Sequence, residues 1–314
     1  ALGSLLASSG LPLGNASPKS RVVLSRDDAL RSPSGSLQSG RMLNLLDQTM
    51  IALSEANNPT DAWKQFVKPG QVVGLKVNCL AGRGMSTSTV LVEALIERLQ
   101  EAGINQQDIV IWDRLNRDLA RAGFRLSERG SQVRCFGNDS SGFEQELLTY
   151  GQVGSLVSRT LTRLCDVVIN LPILKDHGIT GMTGALKNLF GAIHNPNKYH
   201  LDVGDPYVPD VWMLEPIRAK VQLNICEAIP VQYHGGPSFM PDWTWNFDGR
   251  LASRDPVALD TIGWQLIDRK RRQEGMKLLE DEGRKPSYIV TAADREHRLG
   301  FSNPDQIQLV ELDA

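Results

Sequence analysis

The residues best suited to chemistry gather in one stretch, INLPILKDHGITGMTGALKNLFGAIHNPNKYH, residues 169–200. An apolar run leads straight into Lys175, Asp176 and His177. Lys187 and Asn188 follow where the first turns of a helix should lie. Three of the five histidines, His177, His194 and His200, fall inside this stretch. Two lysines supply compact positive charge. Gly178, Gly181 and Gly184 allow close backbone approach, and Thr180 and Thr183 add hydroxyls. Free N–H groups at a helix start favour negative charge. The pattern predicts an anionic ligand held by Lys175, Lys187, Thr180, Thr183 and Asn188. His177 and the two lysines would then serve as catalytic groups, with proton abstraction next to a carboxylate, as in a racemase or isomerase, suiting neutral His plus Lys. His194 and His200 are imidazoles available to a metal. The plainer reading is a structural glycine-rich turn whose Lys and His are solvated. The spacing is not that of a phosphate loop, GxxxxGK[ST], nor of a dinucleotide-binding fingerprint.

A second segment, KVNCLAGRGMSTS (76–88), has the same character. Lys76, Asn78 and Cys79 end an apolar run, Arg83 sits between two glycines, and Ser86 and Thr87 precede a helix. Arg83 is fitted to grip a carboxylate or phosphate with two parallel hydrogen bonds. The alternative is an ordinary strand–turn–helix. Elsewhere, Asp113 ends a strand, His234 stands in YHGGP, and Asp255 and Asp260 lie in RDPVALD. Asp255 reads most simply as a helix cap. Trp212, Trp243 and Trp245 would wall a pocket or fill core.

Four cysteines, Cys79, Cys135, Cys165 and Cys226, are widely spaced, with no CxxC pair. A local zinc ribbon or ferredoxin-type loop is therefore not encoded. Three readings stand: small buried residues, two disulfides, or convergence on a metal or Fe–S cluster in an electron-transfer protein.

Strand and helix signals alternate along the chain. Apolar β-rich runs at 21–25, 71–78, 108–113, 131–137, 166–174, 219–229 and 305–312 read as strands. Helical spacing appears at 41–57, after Ser88, at 114–123, 156–165 and 184–193, after Asp255-Pro256, and at 286–300. Residues 194–211 and 230–250 read as long loops, and 138–155 is ambiguous. Strands joined through helices imply an α/β fold. Its sheet is mostly parallel, with crossover helices on both faces and long loops at the carboxyl ends of the strands. Ligands in such folds sit at those ends, which selects the loops 78–88, 175–188 and 229–250.

The text DVVINLPILKDHGITGMTGALKN (166–188), with KVNCLAGRGMST before it and GGP and DPVALD after it, resembles the DUF362 family, in particular its exported subset, over most of residues 65–300. The resemblance implies the fold and the site location and little about the reaction. Some members carry an appended ferredoxin-type segment. This chain has no such spacing, so an Fe–S assignment does not transfer with the resemblance.

The chain has 314 residues and a formal charge of -2, which argues against a general nucleic-acid binder. With 41% hydrophobic and 22% charged residues it has the material for a full core. No apolar run reaches the roughly 18 residues of a membrane span. Residues 1–18 carry no charge and are rich in small and apolar residues. They resemble the apolar core and small-residue end of an export signal. Three expectations follow: a periplasmic or otherwise exported protein, residues 1–20 as an apolar tail able to hold a protein partner, and residues 21–314 as the α/β domain, with a lobe boundary near 138–155. Twin-arginine export would suit a folded, cofactor-loaded protein, and the segment shows no paired arginines. The competing functions are an enzyme on a small anionic substrate, a metal or Fe–S electron carrier, and a non-catalytic subunit of an exported assembly.

Overall fold

The computed structural model describes residues 19–313. The apolar tail 1–18 lies outside the described residues. Twelve strands are present among them. They are β1 (Ser20–Arg26), β2 (Val73–Lys76), β3 (Ile109–Asp113), β4 (Arg134–Gly137), β5 (Leu148–Tyr150), β6 (Val153–Ser155), β7 (Val167–Asn170), β8 (Ile173–His177), β9 (Gly181–Thr183), β10 (Val221–Gln232), β11 (Thr244–Ser253) and β12 (Ile307–Asp313). The α-helices are α1 (Ser39–Ser54), α2 (Pro59–Lys64), α3 (Thr89–Glu101), α4 (Asn116–Ala122), α5 (Asn138–Ser141), α6 (Ala185–Asn188), α7 (Tyr207–Trp212), α8 (Glu215–Lys220), α9 (Pro256–Gln273) and α10 (Tyr288–Thr291).

The main sheet runs β12-β1-β11-β10-β7-β2-β3-β4, with β8 added beside β10 and β9 beside β8. The block β10-β7-β2-β3-β4 is parallel throughout. The hairpin β10–β11 and the pair β1–β11 are antiparallel. The structure is thus mixed α/β with a largely parallel central sheet. The period-two alternation of the strands divides the core. Val73, Leu75, Ile109, Ile111, Val167, Ile169, Leu223 and Ile225 face one way, against α1, α2 and α3. Val110, Trp112, Val168, Cys226 and Ala228 face the other, against α6, α7 and α9. Covered on both faces, the strands read as apolar runs, and for that reason they were visible in the sequence.

Four expectations need correction. The run 166–174 is two strands, because Pro172 cannot donate to a ladder. β7 stops at Asn170 and β8 starts at Ile173, and the long β10 pairs with both. Residues 230–250 are not all loop: β10 extends to Gln232 and β11 begins at Thr244. The expected helix at 286–300 is regular only over Tyr288–Thr291. The segment 156–165 holds one widened turn, at Thr160–Leu164. The expected caps at Ser88 and Asp255 are present. Ser88 Oγ accepts from Leu91 N, and Asp255 accepts from Val257 N and Ala258 N with Pro256 at the first helical position.

Candidate functional site

From β2 the chain proceeds by crossovers to β3 and then β4 on one side. On the other side of β2 lies β7, with β10 beyond it. The order therefore reverses between β2 and β7, and ligands in open α/β sheets sit outside the carboxyl ends of the strands at such a point. A cavity of about 380 Å³ opens there. Its wall takes Lys76 and Asn78 from the end of β2, Asp113 from the end of β3, Lys175 and His177 from β8, and Thr183 from β9. Lys187, Asn188, Phe190 and His200 come from α6 and the turns after it.

Strand alternation explains the selection within Lys175-Asp176-His177. Lys175 and His177 share the cavity face. Asp176 points away and pairs with Arg284 at 2.7 Å, also accepting Gly236 N at 3.0 Å.

Beneath the cavity lies a chain of buried amides. Asn224 Nδ2 donates to Ser253 O, and Asn224 Oδ1 accepts Asn170 Nδ2 at 2.9 Å. Asn170 Oδ1 accepts Asn188 Nδ2 at 2.8 Å, and Asn188 Oδ1 accepts Asn78 Nδ2 at 3.0 Å. Each amide fixes the orientation of the next, tying β10, β7, α6 and the end of β2 together.

The three cavity lysines differ in their partners. Lys76 Nζ donates to Asp113 Oδ1 at 2.8 Å, Val77 O at 2.6 Å and Asn188 Oδ1 at 3.3 Å. All three of its hydrogens are used within the protein. Asp113 in turn accepts Cys79 N at 2.7 Å and Arg114 N at 2.8 Å. Lys175 Nζ donates to Pro237 O at 3.1 Å, and Lys187 Nζ lies 2.9 Å from His200 Nε2. Among the described residues neither Lys175 nor Lys187 forms an ion pair with a carboxylate, although both are buried. Burial pushes Lys175 down to about 8. Burial, with the neighbouring Lys175 charge, pushes Lys187 down to about 7. The Phe190 ring lies 4.1 Å from Lys187 Nζ.

Both imidazoles are neutral, and their tautomers follow from their neighbours. His200 Nδ1 lies 3.1 Å from Pro196 O and 3.3 Å from Asn197 O, so it carries the hydrogen and Nε2 accepts from Lys187. His177 Nδ1 accepts the amides of Ile179 at 3.3 Å and Thr180 at 3.2 Å, which places its hydrogen on Nε2. The rings stack at 5.4 Å. Burial, then the Lys187 charge, lowers His177 to about 2 and His200 to about 4.

The family model described as a domain of unknown function (DUF362) matches residues 73–265. The chain belongs to the DUF362 family. Every side chain just placed in the cavity lies within the matched span. No curated protein matches the chain. Among solved structures, this DUF362 chain is similar to a Thermotoga maritima protein, at TM-score 0.44 and 11% identity over 70% of this chain and 56% of that one. It is also similar to the lactate racemase apoprotein from Thermoanaerobacterium thermosaccharolyticum, at TM-score 0.44 and 11% identity over 78% and 57%. The chain thus spans a little over half the length of each.

Of the residues singled out in the DUF362 sequence, Lys76, Asn78, Lys175, His177, Thr183, Lys187, Asn188 and His200 line the cavity. Arg83, Ser86 and Thr87 line a different depression. Thr87 Oγ1 donates to Leu171 O and accepts Asn78 N, and Ser86 Oγ donates to Gly82 O. Thr180 is buried, its amide on His177. His194 packs against Phe143 and His234 against Trp243. Asp255, besides its cap, accepts Phe301 N and the Ser20 hydroxyl.

The expected backbone cradle is already filled. Asp260 accepts Ala185 N at 2.6 Å and Leu186 N at 2.9 Å, so the start of α6 holds an internal carboxylate. Gly184 is glycine because a Cβ there would come within 2.2 Å of Asp260 Oδ1. Gly181 serves the β8–β9 turn with φ 79°.

The cysteines do not converge. Cys79 and Cys135 lie in the core under α1–α3, Cys165 and Cys226 in the core on the other face of the sheet. All four are free and buried. Among the described residues no three His, Cys, Asp or Glu side chains are grouped to hold a metal ion. The sequence reading missed Phe190, Asp118 and Pro237 as cavity residues. Phe190, three positions after Lys187, shares its helical face, and that spacing was a usable signal. Pro237 is brought in only by the tertiary fold. No helix among the described residues is long and apolar enough to cross a membrane.

Proposed function

We propose that the cavity binds a small anion, a carboxylate or phosphate, between Lys175 and Lys187. The observation that carries this reading is the pair of buried lysine amines with no carboxylate partner among the described residues. A buried charge is costly unless it is paired. A ligand carrying negative charge would supply the missing pairing for both lysines at once. The cavity's 380 Å³ is at the small end of ligand sites, which favours a molecule of few heavy atoms. Lys76 and Asp113 neutralise each other and set the wall, and His177 and His200 contribute neutral imidazoles. Binding would also raise the proton affinity of Lys187, so the complex should take up protons near pH 7 to 8.

Calorimetric titration with propionate, oxalate and inorganic phosphate tests this, run in two buffers of different ionisation enthalpy. The expected result is saturable binding with proton uptake, weakened at least about tenfold in Lys175→Met and in Lys187→Met. Binding that both variants retain, or no binding of any of the three, overturns it. The uncharged segment 1–18 supports export as the setting of this activity, and comparing the compartments of the producing cell tests that.

A further inference from the structure

We infer that Lys187 is a covalent site: its amine condenses reversibly with the carbonyl group of a small oxo acid to form an imine. The inference rests on the anion reading above and names its substrate class, an aldehyde or ketone bearing a carboxylate.

Two geometric facts single out Lys187. Among the described residues its nitrogen meets no carboxylate and no backbone carbonyl, only the His200 Nε2 lone pair at 2.9 Å and the face of Phe190. It can therefore release a proton without leaving a buried anion unpaired. A second ammonium, Lys175, lines the same cavity and works against a charge on Lys187. A lysine desolvated beside another cation is the arrangement that yields a nucleophilic amine. Both lysines are buried, Lys187 at 7% exposed and Lys175 at 1%. Both line the cavity, and Lys175 keeps one hydrogen on Pro237 O with two left for a carboxylate.

The step balances with these groups alone. Lys187 first gives one proton to His200 Nε2; the lone pair of the resulting neutral amine then attacks the carbonyl carbon, an N–C bond forms, and the carbonyl π pair moves to oxygen. Lys187 enters as an ammonium with three hydrogens. Two of them leave with the carbonyl oxygen as water, and the third stays on the iminium nitrogen. His200 Nε2 is placed to take the proton that the nitrogen sheds. The neutral His177, with its hydrogen on Nε2, gives the departing oxygen a hydrogen bond from the cavity wall and keeps that proton, since both hydrogens of the water come from Lys187. The iminium carries one positive charge, as the ammonium did, so the charge balance of the site is kept. The carbon next to it becomes acidic, which suits proton transfer beside a carboxylate.

The full chain is incubated with pyruvate or glyoxylate and sodium cyanoborohydride, then examined by intact mass and peptide mapping. The expected result is one reduced adduct per chain, on Lys187, absent from Lys187→Arg and reduced at least about tenfold in Lys175→Met at equal probe concentration. Adduct spread over surface lysines, or no adduct at saturating probe, overturns the inference. The wild-type peptide map decides this even if a variant fails to fold. Propionate and oxalate carry no aldehyde or ketone and separate the two readings. If they bind through Lys175 and Lys187 while oxo acids are not trapped, the imine falls and the anion site stands. If neither occurs, both fall. Trapping of a neutral aldehyde at Lys187 without carboxylate binding would keep the amine's role and overturn the substrate class.

Discussion

Asp260 holds the helical turn that carries Lys187: its two carboxylate oxygens accept Ala185 N and Leu186 N at 2.6 and 2.9 Å. The lysine is therefore positioned by a residue on α9, far along the chain and wholly buried. Asp260→Ala would leave two buried N–H groups without acceptors, at a cost of about 2–4 kcal/mol. The expected outcome in urea denaturation is a loss of that size, together with weakened anion binding. A variant with unchanged stability would show that the turn holds itself.

The unpaired lysines predict how stability depends on pH. Both hold a proton less tightly folded than unfolded, Lys175 falling from 10.5 to about 8 and Lys187 from 10.5 to about 7. Between about pH 7 and 10.5 the unfolded chain binds more protons, so the lysine contribution to stability rises with pH across that window. Removing the amine removes the burden. Lys187→Met should stabilise the ligand-free protein at pH 7 by something on the order of 2 kcal/mol, with the gain fading towards pH 10. Thermal unfolding at pH 7 and pH 10 checks it. A destabilised Lys187→Met protein at pH 7 would mean that the ammonium is better accommodated than its neighbours suggest.

Lys76 and Asp113 behave differently, because each completes the other. The pair is buried, and Asp113 also accepts two backbone amides. Asp113→Ala would strand the Lys76 ammonium and those amides, costing about 3–5 kcal/mol. Lys76→Met would strand Asp113 in the same way. The double variant should recover part of the loss, and a double-mutant cycle by chemical denaturation measures the coupling. Purely additive losses would count against the pair as a unit.

These residues also mark where the sequence was legible. The β-rich apolar runs, the Ser88 and Asp255 caps and the closing Gly123 are local signals, and the structure keeps them. The rule that ligands sit at strand ends located the cavity, and Lys175, His177, Lys187 and His200 all line it. Partner choice was not legible. Nothing local says that Lys76 is consumed by Asp113, that Asp176 turns to Arg284, or that Asp260 fills the start of α6. Those are long-range pairings set by the sheet order. β11 was missed because Asn246, Asp248 and Gly249 interrupt its apolar pattern, and only its antiparallel neighbours β1 and β10 define it.

The cysteines supply the last prediction. They are split between the two faces of the sheet and none is exposed. Burial raises all four thiols, Cys135 and Cys165 to about 12. Since the thiolate is the reactive form, native protein at pH 8 should react with a disulfide reagent at all four positions far more slowly than an exposed cysteine, by at least about a hundredfold. In denaturant all four should react at once and in full, with no prior reduction. A native thiol that reacts quickly would point to an opening of the sheet near it. Fewer than four thiols in denaturant would mean that a disulfide or a bound cluster holds the rest, against the separation of the two cores.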